Sequence, residues 1–144
     1  MKLISHRGNL YGPDLEKENQ PQYIMKALTS GYDVEIDVWF IDGIVYLGHD
    51  KPQYEVERNF IMDERLWCHA KNLEALHFML KYNTINCFWH QNDDHTITSK
   101  GFIWTYPNKE VTNKSVVVVL DETIPTQYDK NELYGTCGDY VANW

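Results

Sequence analysis

Asp33-Val34-Glu35-Ile36-Asp37-Val38-Trp39-Phe40 decides how this chain is read. The stretch alternates. Asp33, Glu35 and Asp37 fall on one side of an extended strand, and Val34, Ile36 and Val38 on the other. Three carboxylates on one face repel one another unless water or a cation relieves them. Two readings follow: a surface strand with its acidic face in water, or a buried strand whose carboxylates hold a divalent metal. Its neighbours favour the second. His6-Arg7-Gly8 lies before it and Gly48-His49-Asp50 after it.

Working outward, Lys2 to Ser5 reads as a first strand ending at His6-Arg7-Gly8, and Asn9 to Asn19 as a polar loop. Pro21 suits the first turn of a helix, Tyr23, Ile24, Ala27 and Leu28 give that helix an apolar stripe, and Gly31 ends it. Beyond the acidic strand, Asp42-Gly43 is a hairpin turn returning through Ile44 to Leu47. Residues 51–64 read as charged and irregular, with at most one helical turn. Leu66 to Lys71 is a strand with Trp67, His69 and Lys71 on one face. Asn72 caps a helix whose apolar side is expected at Leu73, Leu76 and Leu80. Further strands are expected at Asn86 to His90, Gly101 to Tyr106 and Ser115 to Leu120, with a short last one over Gly135 to Val141. The four valines of Ser115 to Leu120 suit a parallel strand buried on both faces.

Titratable residues collect at the C-terminal ends of these strands: His6-Arg7, Asp37, His69-Lys71, His90 and Asp121-Glu122. In a parallel barrel those ends form the active face. A full barrel of eight strand–helix units takes about 250 residues, and this chain has 144. The expectation is therefore a single domain over residues 1–144, an α/β fold of the reduced or incomplete TIM-type (β/α) barrel kind, with several helices missing. The missing helices would expose apolar strands, so a second copy of the chain is expected to cover them as a homo-oligomer.

Composition narrows the function. A net charge of −8 argues against non-specific nucleic-acid binding. It leaves room for a phosphate substrate, because a metal and a few local cations reverse the field inside a site. The three cysteines form no CxxC pair, so a structural zinc site is not expected, and Cys68 and Cys87 read as buried small hydrophobes. No apolar leader precedes Ser5 and no run reaches the length of a membrane span, which points to the cytoplasm. High aromatic content fits a pocket-rich fold or a plain core, and Trp39 and Trp104 are read either way.

His6-Arg7-Gly8, then Glu18-Asn19, the helix ending in Gly31, Glu35-Ile36-Asp37-Val38, and His49-Asp50 together resemble the N-terminal signature of the glycerophosphodiester phosphodiesterases. That family belongs to the PI-phospholipase-C-like phosphodiesterase superfamily. The resemblance covers residues 2–50 well and then thins. His69-Ala70-Lys71 resembles the family's acid-X-Lys position with His where an acidic metal ligand is expected. Ile103-Trp104-Thr105 and Cys137-Gly138-Asp139-Tyr140 resemble its later motifs at shortened spacing.

The resemblance implies metal-dependent cleavage of a small, glycerophosphodiester-like or polymer-linked phosphodiester. His6 and His49 would be acid and base, Glu35, Asp37 and His69 metal ligands, and Arg7 and Lys71 phosphate holders. Glu18, Asn19, His90, Trp104 and Glu122 are further pocket candidates. Glu18 and Asn19 could equally sit in an exposed loop. Oxygen ligands suit Mg²⁺ or Ca²⁺, and His69 as a ligand would move preference toward Mn²⁺ or a later metal. In the alternative, His69 only hydrogen-bonds, or Glu122 or His90 replaces the missing acid from a neighbouring strand. Two alternatives stay open beside hydrolysis: lyase-type cleavage through a cyclic phosphate, and a non-catalytic phosphosugar- or headgroup-binding module.

Overall fold

A computed structural model describes all residues from Met1 to Trp144. Its ten strands are β1 (Lys2–His6), β2 (Asp33–Ile41), β3 (Ile44–Leu47), β4 (Tyr54–Val56), β5 (Leu66–Ala70), β6 (Asn86–Phe88), β7 (His95–Ile97), β8 (Ile103–Thr105), β9 (Ser115–Val119) and β10 (Gly135–Gly138). Only two α-helices occur, α1 (Pro21–Thr29) and α2 (Leu73–Met79). The strands form one curled mixed sheet. A parallel run β6-β5-β2-β1-β10-β9-β8 carries antiparallel β7 at its far edge, and the β3–β4 meander hangs from the C-terminal half of β2.

This corrects the expected architecture. The chain is a strand-rich half-barrel, not a reduced barrel of alternating strands and helices. The reason lies in the connections. β8 and β9 are parallel neighbours joined only by residues 106–114, fewer than the dozen or so residues a helical crossover takes. The β9–β10 connection, residues 120–134, carries Pro125 and little apolar periodicity, and it is irregular. Irregular chain replaces the missing helices as cover. Tyr128 and Leu133 from that connection pack over Val117 and Val119 of β9, with Trp144 beside them. The apolar outer face expected to need a second copy is therefore covered, at β9, by the chain itself.

Helices sit where the sequence places them. Pro21 opens α1, where its missing N–H would have had no partner in any case, and Ile24, Ala27 and Leu28 are its buried stripe. Gly31 leaves the helix at φ 95° with its N–H on Leu28 O. Asn72 caps α2 by accepting from Ala75 N at 3.1 Å. The buried side of α2 is Ala75, Phe78 and Met79, whereas Leu73 and Leu80 are exposed, so the expected leucine stripe is displaced around the axis. Both helices pack on Val34, Ile36 and Val38 of β2 with Leu66 and Cys68 of β5. Each such fully buried aliphatic side chain contributes about 1.5–3 kcal/mol.

The opposite face of β2 rules out the water-facing reading of the acidic strand. Asp33, Glu35 and Asp37 are 7%, 2% and 0% exposed, so they face the interior of the curl and not water. Below them lies an apolar floor of Ile4, Trp67, Phe88, Trp104, Val116 and Cys137. Trp104 stacks on Phe88 at 4.5 Å between ring centroids, which ties β8 to β6 across the curl. At the open side of β6, Ser99 accepts from Cys87 N and donates to Ile85 O.

Residues 51–64, expected to be irregular, hold β4 and a short 3-10 turn over Arg58–Met62. The β7 strand was not expected. It lies within the stretch His95–Ile97 after the polar turn. All three cysteines are free and buried.

Candidate functional site

The site is built where β1 and β2 run side by side, with His6 in register with Glu35. Just after His6 the chain turns sharply. Arg7 takes φ 56° and Gly8 φ 97°, and a Cβ on Gly8 would sit 2.6 Å from the Tyr23 ring. A non-glycine residue held in the left-handed region costs about 1 kcal/mol or more and is a feature of functional turns. Here it throws the Arg7 guanidinium back over β2, where Nε lies 3.1 Å from Asp37 Oδ2 and Nη1 3.0 Å from Glu18 Oε2. The Nε contact is an ion pair without hydrogen-bond alignment. Burial works against the Arg7 charge, but Asp37, Glu35 and Glu18 more than offset it and raise its pKa.

Asn19 is 1% exposed, which excludes the exposed-loop reading for it. Its amide brackets Asp37: Oδ1 accepts from Asp37 N at 3.0 Å and Nδ2 donates to Asp37 Oδ2 at 2.9 Å. Glu18 accepts from Arg7 and from Asn9 Nδ2. The polar loop is thus a clamp on β2. Burial opposes ionisation of Asp37, yet His69, Arg7 and Asn19 hold its carboxyl well below the usual carboxylate range.

His6 is fixed from the far end of the chain. Its Nδ1 is 2.8 Å from Asp139 Oδ1, which also accepts from Asn9 Nδ2 at 2.8 Å. With Nδ1 committed as the donor, Nε2 is the free nitrogen, 3.9 Å from Glu35 Oε2. Burial lowers the His6 pKa, but the Asp139 and Glu35 carboxylates overcome it and the net direction is up. Asp139 moves the other way, its burial outweighed by His6 and Asn9.

Glu35, Asp37 and His69 come together, with one ligand atom from each lying within 4.8 Å of the others. His69 Nδ1 is 3.7 Å from Glu35 Oε1 and 3.5 Å from Asp37 Oδ1. Its Nε2 donates to the His90 carbonyl at 2.9 Å, and its ring stacks on Phe88. Glu35 Oε2 and Asp37 Oδ1 are buried acceptors with no hydrogen-bond donor. Orphaned buried carboxylate oxygens cost about 1–3 kcal/mol or more each, and a cation is the simplest partner for them. The donor set therefore fits a divalent ion held by Glu35, Asp37 and His69. Lys71 Nζ stands 3.8 Å from Asp37 Oδ1 at the edge of the cluster.

A cavity of about 200 Å³ opens over this cluster. His6, Arg7, Glu35, His49 and His69 make its charged side, and His90, Trp104, Tyr106, Val118 and Leu120 its other side. A second cavity of about 250 Å³ lies across Arg7 and His49, reaching Glu18, Asn19 and Lys51. His49 thus borders both. It is half exposed, with Nδ1 bonded to Asp50 Oδ1 at 2.7 Å. Its loop is anchored by Trp39, whose indole donates to Gly48 O at 2.7 Å. Trp39 therefore acts by holding this loop, and Trp104 walls the cavity.

One pocket candidate, Glu122, lies outside both cavities, and His90 lines the first without reaching the carboxylates. Glu122 is exposed and borders neither cavity; only its carbonyl is engaged, by Trp144 Nε1. His90 lines the cavity but turns Nε2 to the Asp93 carbonyl, so neither residue stands in as the third metal ligand. Asn9 and Tyr106 belong to the site and were not singled out from the sequence, and Asp139 was read only as part of the Cys137-Gly138-Asp139-Tyr140 motif, without a role. Asp139 and Asn9 meet across 130 positions, and no local signal marks that pairing.

No family model, no curated protein and no solved structure matches the chain. No helix is long and apolar enough to cross a membrane.

Proposed function

We propose that this chain is a metal-dependent phosphodiesterase acting on a small phosphodiester. The observation that carries the proposal is the juxtaposition of an oriented histidine and Glu35 at one cavity with Asp37 buried beside them, both carboxylates having orphaned oxygens. His6 is aimed by Asp139, and Glu35 Oε2 and Asp37 Oδ1 lack donors. The resemblance of residues 2–50 to the glycerophosphodiester phosphodiesterases points the same way. A divalent ion, when bound by Glu35, Asp37 and His69, supplies neutralisation of the charge on a phosphoryl oxygen.

The chain's own groups do the rest. His6, with Nδ1 committed to Asp139, takes or delivers a proton at Nε2. His49, on the loop bordering both cavities, does the converse on the other side of the phosphorus. Lys71 gives a compact positive charge to a phosphate oxygen, since its only carboxylate contact is the long one to Asp37. Arg7 is already engaged by Glu18 and Asp37, so it serves first to position Asp37 and only secondarily to meet phosphate. The cavity volume, room for about seven waters at ~30 Å³ each, suits a substrate arm of a few heavy atoms. A phosphodiester linking small alcohols fits it better than a chain that would have to be wholly enclosed.

The test is turnover of bis(p-nitrophenyl) phosphate and of glycerophosphodiesters, followed by p-nitrophenol release and phosphorus NMR. It is run with Mg²⁺, Ca²⁺, Mn²⁺ and EDTA on wild type, His6→Ala, His49→Ala and Glu35→Ala/Asp37→Ala. Metal-dependent turnover lost in all three variants supports the proposal. A phosphomonoester product identifies hydrolysis, and a cyclic phosphate identifies intramolecular attack. No turnover of any diester, joined to no metal binding by calorimetry, overturns it.

A further inference from the structure

The candidate metal site offers two carboxylate oxygens and one imidazole nitrogen. Resting on the metal-binding reading above, we infer that His69 makes this a site for a first-row transition ion, Mn²⁺ or a later one, in preference to Mg²⁺ or Ca²⁺.

Three observations carry this. The first is the orientation of the imidazole. His69 Nε2 is spent as a donor to the His90 carbonyl at 2.9 Å. A histidine bonded through Nε2–H to a backbone carbonyl presents Nδ1 as its ligating nitrogen, the usual outer arrangement of a metal-bound imidazole. Nδ1 faces both carboxylates, and the Phe88 ring at 5.0 Å, nearly coplanar at 11°, fixes the plane.

The second is spacing. Ligand atoms about 2.1 Å from a common ion lie roughly 3.0 to 3.5 Å apart for octahedral and tetrahedral angles. The Nδ1 distances of 3.5 Å and 3.7 Å to Asp37 Oδ1 and Glu35 Oε1 are already close to the upper value. Small side-chain rotations would close the remainder.

The third is charge. Mg²⁺ and Ca²⁺ are held by anionic and carbonyl oxygens, Ca²⁺ by about six to eight of them. Here Asp37 has little charge left to offer. Its Oδ2 takes the Asn19 amide and faces Arg7 Nε, and Lys71 stands 3.8 Å from its Oδ1. Glu35 is the one carboxylate of the trio without a paired cation other than the histidines. A cluster so short of free negative charge attracts a hard dication weakly. An ion that gains from an imidazole nitrogen is favoured, along the order that rises from Mn²⁺ toward the later divalent ions.

The experiment is direct metal binding to the full chain, by calorimetry with Mn²⁺, Zn²⁺, Mg²⁺ and Ca²⁺, on wild type and His69→Asp. Wild type is expected to bind Mn²⁺ and Zn²⁺ on the order of 10²-fold more tightly than Mg²⁺, and His69→Asp to narrow that ratio by about tenfold or more. A second readout does not depend on the variant folding. Co²⁺-loaded wild type should show one paramagnetically shifted, exchangeable imidazole N–H proton, the Nε2–H held by the His90 carbonyl. Equal affinity for Mg²⁺ and Mn²⁺, or a Co²⁺ complex without that proton signal, overturns the inference while leaving a metal-dependent phosphodiesterase intact. Failure of every ion to bind sinks both.

Discussion

The Asp139→Asn substitution isolates the group that aims His6. The carboxylate of Asp139 is 2.8 Å from His6 Nδ1, and the two side chains are only 9% and 16% exposed. Asn is nearly isosteric and its carbonyl oxygen can still accept from Nδ1–H, so the ring keeps its place while the charge is removed. The sign follows from the causes. Burial alone lowers the His6 pKa, and the Asp139 hydrogen bond is the larger of the effects that raise it. Without that charge the largest raising effect is lost, and the His6 pKa falls relative to wild type. A hydrogen bond to a charged group contributes about 1.5–3 kcal/mol, which sets the scale of the stabilisation that the substitution weakens. The linked stability follows the same logic. The raised His6 contributes stability fully present below pH 6.5, lost as pH rises through its higher folded pKa. The lowered Asp139 contributes stability present above pH 3.8, lost as pH falls through its lower one. Asp139→Asn should therefore be least stable relative to wild type between these limits, near pH 5. The assay is proton NMR of the His6 Cε1–H resonance against pH on the metal-free protein, paired with urea unfolding at pH 5 and pH 9. A His6 midpoint unchanged from wild type, or a stability loss equal at both pH values, would refute the assignment of Asp139 as the charge that holds His6.

Three further outcomes are expected. Gly48→Ala should lower turnover with little change in global stability. Gly48 takes φ 150°, and an added Cβ would lie 2.1 Å from the Lys51 carbonyl, so the loop carrying His49 must move; kcat measured beside a thermal melt distinguishes this from unfolding. Metal affinity should fall about tenfold per pH unit below pH 9. The two carboxylates outweigh burial to push the metal-free His69 pKa up to about 9, so an incoming ion must displace a proton there; calorimetry in buffers of differing ionisation heat should count close to one proton released. Trp104→Ala should cost about 3–5 kcal/mol in chemical denaturation, since the ring is 4% exposed and stacks on Phe88 and beside Trp67. A loss under 1 kcal/mol would show that the floor beneath the site is loosely packed.

What was legible in the sequence was whatever is local. The alternation of residues 33–38 gave a face, and His6-Arg7-Gly8 and Gly48-His49-Asp50 fell at strand ends because a strand followed by a turn writes itself in a few residues. The convergence of Glu35, Asp37 and His69 is local in the same sense: Glu35 and Asp37 are two apart on one strand, and His69 is the register partner of Asp37 on the next. The architecture was not legible, because hydrophobic runs such as Ser115–Val119 look alike whether helices or irregular chain cover them. The connections, not the strands, decide between a closed helix-wrapped barrel and this open curl. The orientation of His6 was equally hidden, since Asn9 and Asp139 come from opposite ends of the chain. That division has a physical consequence for the site. β1 pairs with β2 on one side and with β10 on the other, so the strand carrying His6 also links the buried carboxylates of β2 to the C-terminal Asp139. Gly135 lets β10 approach β1 that closely: a Cβ there would fall 2.7 Å from the Lys2 carbonyl. The His6–Asp139 pair is thus completed only when the last strand docks, which ties the geometry of the candidate site to folding of the whole chain and not to its N-terminal third, where the recognisable motifs lie.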